Sequence, residues 1–193
     1  MPIRIELPSD DSLSDEARAL LSRLPPLNVF RMVANVPASL QAFVDLVSSI
    51  MIQAELDASK REIVVLRIAH LTGSRYEWVQ HEKLARALGL SEPQLAAIAA
   101  AGPVSGLDEE GNLLCRVADE ITHDVQLSEE ALTLLLQRYG KRQTCELIFC
   151  ISYFNMLSRF LESTRVELED GDVIGSRTPA QLAKNTALAG RRD

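Results

Sequence analysis

Residues 61–90 read REIVVLRIAHLTGSRYEWVQHEKLARALGL. Two helical patterns stand on either side of Thr72-Gly73. The first carries the apolar run 63–68 and is opened by Asp57, a residue whose carboxylate accepts the unpaired N–H groups of a first helical turn. Gly73 suits the left-handed position that ends a helix. The second pattern covers residues 74–88 and closes at Gly89. A turn this short folds the two helices back on one another as an antiparallel pair.

The same three- and four-residue apolar spacing extends in both directions, and no strand-like alternation interrupts it. Upstream, Ser12 or Ser14 caps a helix to about Arg23, and Pro25-Pro26 stops it because proline has no N–H to donate. Asn28 opens a short segment, and Pro37 sits in the first turn of a helix reaching about Gln53. Downstream, Ser91 caps a helix beginning Glu92-Pro93. Further helices are expected over 108–123, 128–139 and 142–166, with Gly140 separating the last two. The predicted fold is therefore all-α, an antiparallel helical bundle. One domain over 1–169 is expected, with an N-terminal helical extension at 1–54 and a core at 55–169. The stretch 170–193 lacks periodicity and reads as an extended or partly disordered tail.

Composition narrows the function classes. The 193 residues are 47% hydrophobic and 24% charged, an ordinary globular balance. A formal net charge of −7 with scattered Lys and Arg argues against a nucleic-acid partner. No apolar run reaches a membrane span, and the start MPIRIELPSDD lacks a signal-peptide pattern, so a cytoplasmic location with no membrane partner is expected. Cys115, Cys145 and Cys150 match neither a disulfide framework nor a zinc site and read as free thiols.

Chemistry concentrates in the opening hairpin. Glu77 and His81 are one helical turn apart, so a carboxylate and an imidazole share a face. Histidine changes charge near neutral pH and suits general acid–base work. Glu62, on the preceding helix, is carried toward the same face by the turn. Tyr76 and Trp78 flank Glu77 with aromatic surface that lines a small-molecule pocket or fills core. Arg67 and His70 are further candidates on the first helix, and Arg67 or Arg75 is a candidate counter-ion for Glu77.

The stretch REIVVLRIAHLTGSRYEWVQH resembles the carboxymuconolactone decarboxylase-like family, which includes alkyl-hydroperoxidase D, and the likeness extends over about residues 28–166. The peroxidase branch carries a glutamate, eleven residues, a C-x-x-C pair, three residues and a histidine. Glu62 and His81 match the outer frame, whereas Ser74 and Glu77 stand at the cysteine positions. A dithiol cycle needs one thiolate to attack and another to resolve, so this branch's peroxide chemistry is disfavoured. The resemblance implies instead a cofactor-free decarboxylase or lyase acting on a small organic acid or lactone. Glu62, Glu77 and His81 are then the catalytic candidates, and Arg67, His70, Ser74, Tyr76 and Trp78 the substrate-binding ones. No metal is expected.

Two other readings compete. Glu120 and His123 have the E-x-x-H spacing of di-iron bundles, but one such motif is half of what a site requires. A bundle with a modest pocket also serves as a noncatalytic small-molecule-binding protein. Broad apolar stripes point to a homo-oligomer, to which the resemblance adds trimers or hexamers beside dimers.

Overall fold

The computed structural model describes residues 3–171, and the expected tail at 172–193 lies outside them. Eight α-helices and no strand occur among the described residues: α1 Asp15–Leu21, α2 Asn28–Val33, α3 Pro37–Ser48, α4 Ala58–Thr72, α5 Arg75–Ala87, α6 Glu92–Ile98, α7 Glu109–Asp124 and α8 Glu129–Thr164. No described helix is long and apolar enough to cross a membrane.

Local chemistry sets most of the ends. Ser14 Oγ accepts from the Ala17 N–H at 3.2 Å, and Asp57 accepts from Ser59 and Lys60 at 2.9 and 3.3 Å. Gly73 stops α4 at φ 68°, in the left-handed region where a Cβ is costly. Asp108 takes the Gly111 N–H at 2.7 Å, and the Gln94 side chain accepts from the Ser91 N–H at 2.9 Å. The helix expected to reach Gln53 widens into a π turn over Ser49–Gln53. Within α8 the backbone leaves helical geometry at Gly140 (φ 67°, ψ 179°), the place where the sequence separates two helices.

The chain divides into two compact units. One comprises residues 3–53 and 160–171 among those described. Its core gathers Leu13, Ala17 and Leu20 with Val33, Ala34 and Leu40, and Phe160 packs against it. The Ile5 N–H donates to the Thr164 carbonyl at 3.1 Å, tying the first described residues to the end of α8.

The second unit spans residues 54–159 and contains the hairpin. Here α4 packs on both α5 and α7, and Leu66, Ala85, Leu95, Ile98 and Cys115 form a shared core. Arg67 holds this unit together from inside. Its guanidinium pairs with Asp119 at 2.6 Å and donates to the carbonyls of Ile98, Ala100 and Gly102 at 2.7–2.9 Å. The donor fork of arginine thus ties α4 to α7 and to the end of α6.

Candidate active site

The hairpin brings Glu62, near the start of α4, against His81, two turns into α5. Glu62 is completely buried, and its Oε2 lies 2.6 Å from His81 Nδ1. Its other oxygen accepts from Arg61 Nε at 3.2 Å. Burial alone pushes the Glu62 pKa up, but the charges and hydrogen bonds of His81 and Arg61 outweigh it and hold the group below the usual carboxylate range. An ionised carboxylate only accepts, so Nδ1 carries a proton and His81 Nε2 is left for chemistry. The His81 side chain is 12% exposed, and its ring meets Phe154 edge to face at 5.0 Å.

Glu77 lies one turn before His81 and is also buried, and the Ser158 hydroxyl of α8 donates to its Oε2. Tyr153 packs beside Phe154 at 5.1 Å between centroids. Burial, then the nearby Glu77 charge, raises its phenol pKa and keeps it protonated. Ser74 is the N-cap of α5, yet its hydroxyl is buried without capping the helix or finding a hydrogen-bond partner among the described residues. Ser74, Glu77 and His81 recur at three- and four-residue spacing and therefore share one face of α5.

The other sequence candidates stand elsewhere. Arg67 is taken up by Asp119 and the three carbonyls, and Arg75 is exposed. His70 is exposed, with its ring 6.4 Å from Trp78; burial and the Arg67 charge lower its pKa. Trp78 packs on the core around Leu66, and Tyr76 is buried. Glu120 accepts from Arg116 and from the backbone and hydroxyl of Ser128, so its carboxylate serves the turn into α8. A cleft of about 840 Å³ beside α7 includes Glu120, His123 and Leu134 in its lining but neither Glu62 nor His81.

Sequence reasoning missed the contributions of Arg61, Phe154 and Ser158. A signal for the last was present: Leu147, Ile151, Phe154 and Ser158 recur at helical spacing, and Ser158 is the polar residue in that inward stripe. Two of the three thiols stand apart from nucleophilic chemistry. Burial drives the Cys115 and Cys150 pKa values up to about 12, and Cys145 is exposed.

Residues 37–120 match the carboxymuconolactone decarboxylase family. Over that stretch the chain is similar to the carboxymuconolactone decarboxylase family. The carboxymuconolactone decarboxylase-like region includes the whole α4–α5 hairpin. A comparison with curated proteins gives no match. Among solved structures, an uncharacterized peroxidase-related protein from a Silicibacter species aligns with TM-score 0.76 and 18% identity, over 91% of this chain and 95% of that one. An alkylhydroperoxidase AhpD core, a peroxidase-related protein from Ralstonia eutropha, aligns with TM-score 0.73 and 17% identity over 88% and 94%. A protein of unknown function from Agrobacterium tumefaciens gives TM-score 0.61 and 18% identity over 72% and 96%. These likenesses establish the shared AhpD-like fold.

Proposed function

We propose that the protein is a cofactor-free acid–base enzyme of decarboxylase or lyase type, acting on a small organic acid or lactone. The observation that carries this reading is the 2.6 Å contact between His81 Nδ1 and the fully buried Glu62. It fixes the tautomer and aims the second ring nitrogen away from the carboxylate.

For an unsaturated lactone acid, the bond to the carboxyl carbon breaks and carbon dioxide leaves. The electron pair passes into the conjugated system as a dienolate. His81, as imidazolium, delivers the Nε2 proton to carbon, and solvent restores it. Glu62 orients the ring. Glu77 and Ser74, on the same face of α5, are the groups nearest along the helix to shape the substrate end.

Purified protein assayed on a panel of muconolactone-type acids tests this, with His81→Ala and His81→Gln beside wild type. Turnover without added cofactor, lost in both variants while their helical circular dichroism persists, is the expected result. Unchanged turnover in His81→Gln would falsify the mechanism, because glutamine retains a donor to Glu62 but moves no proton. A parallel arm with hydroperoxide and a thiol reductant is expected to show no turnover dependent on Cys145.

A further inference from the structure

Ser74 and Glu77 spell the Ser-x-x-Glu sequence of a capping box, in which the serine hydroxyl accepts from the glutamate N–H and the glutamate side chain reaches back to the serine N–H. Helix α5 makes neither bond. The Ser74 N–H donates instead to the Ala69 carbonyl at 2.9 Å, closing α4 behind Gly73, and the Glu77 carboxylate accepts from Ser158 of α8. Ser74 is 1% exposed, and its hydroxyl neither caps the helix nor finds a hydrogen-bond partner among the described residues. At α6 the same spacing is used: Gln94 accepts from the Ser91 N–H at 2.9 Å.

A buried hydroxyl without a partner forfeits the hydrogen bonds it made to water, and the first turn of a helix carries N–H groups that the helix itself does not pair. Both kinds of donor stand at one end of α5, on the face that carries His81 two turns on. Seven residues of helix span about 10 Å, and helical side chains lean toward the N-terminus, so the His81 ring leans back toward Ser74. The space between imidazole and hydroxyl is then about that of one small ring. Gly73 and Arg75, on either side of Ser74, are exposed, so the hydroxyl lies just beneath the surface of the turn.

We propose that the Ser74 hydroxyl and the first-turn N–H groups of α5 hold a neutral carbonyl oxygen of the substrate, that of a lactone or ketone. The inference rests on the acid–base reading above for the His81 end, where the carbon to be protonated faces Nε2. Donors gathered at one point call for an oxygen with lone pairs. A carboxylate is the wrong choice. Glu77, in the first turn, already meets the positive end of the α5 dipole, and a second full negative charge beside it is repelled. A carbonyl brings the lone pairs without the charge.

The probes are γ-butyrolactone, a neutral lactone, and butyrate, an anion of similar size. Each is titrated into the full-length protein while the amide resonances of residues 74–77 are followed by NMR. The lactone is expected to move them and to bind Ser74→Ala about two- to tenfold more weakly, the loss of one neutral hydrogen bond, whereas butyrate leaves them in place. Ser74→Ala is expected to unfold at the same urea concentration as wild type or a higher one, because the hydroxyl it removes has no partner among the described residues. Equal lactone affinity in the two proteins, no shift at residues 74–77, or butyrate as the better probe overturns the proposal. A urea midpoint lowered by Ser74→Ala overturns it as well, since the hydroxyl then serves the fold through a buried water. Neither measurement needs turnover. Lactone binding that depends on Ser74 therefore stands even where His81→Gln shows the acid–base reading to be wrong, and turnover unaffected by Ser74→Ala sinks this inference alone.

Discussion

The pair formed by Glu62 and His81 couples stability to pH in a definite direction. Removing one member of a buried, hydrogen-bonded pair leaves the other desolvated and costs about 3–5 kcal/mol. Glutamine at position 62 keeps one acceptor, so Glu62→Gln is expected to cost about 3 kcal/mol at pH 7, at the lower end of that range. Because the folded carboxyl titrates below its ordinary value of 4.5, its contribution is complete above that pH and is lost as pH falls through the folded value. Urea midpoints of wild type and Glu62→Gln should therefore converge as pH drops from 5 toward 3. A gap that stays constant over that range would show that Glu62 is not ionised in the folded protein.

At the scale of elements, Gly140 is the position where backbone geometry alone decides the outcome. Its φ of 67° and ψ of 179° belong to a region open almost solely to glycine, and nothing lies within 4 Å of where a Cβ would stand. Gly140→Ala should thus destabilise by about 1–3 kcal/mol through backbone strain, with no clash to relieve, as read by urea unfolding. This break was legible in the sequence, as were Asp57, Gly73 and Ser91 at helix ends, because capping is a local interaction among neighbours. The α4–α5 hairpin was legible for the same reason. Arg67 was not: its partner Asp119 is 52 residues away, and the carbonyls it binds carry no sequence signal. A charged residue in an apolar run looks the same whether it awaits a substrate or ties helices together. Ser158 escaped similarly, since its link to Glu77 spans 81 residues. Periodicity gives the face on which a residue lies and leaves open which distant residue meets it.

For the molecule as a whole, net charge opposes self-association. Each copy carries −7, so association brings like charges together. Two copies of this length lie with centres about 40 Å apart, where the unscreened repulsion in water is ~5 kcal/mol. A Debye length of about 30 Å at 0.01 M salt leaves ~1 kcal/mol of it, and one of about 8 Å at 0.15 M leaves almost none. Raising salt from 0.01 to 0.15 M should therefore tighten self-association by up to about tenfold, measured by sedimentation equilibrium. Association that weakens steadily over that range would mean that ion pairs hold the copies together.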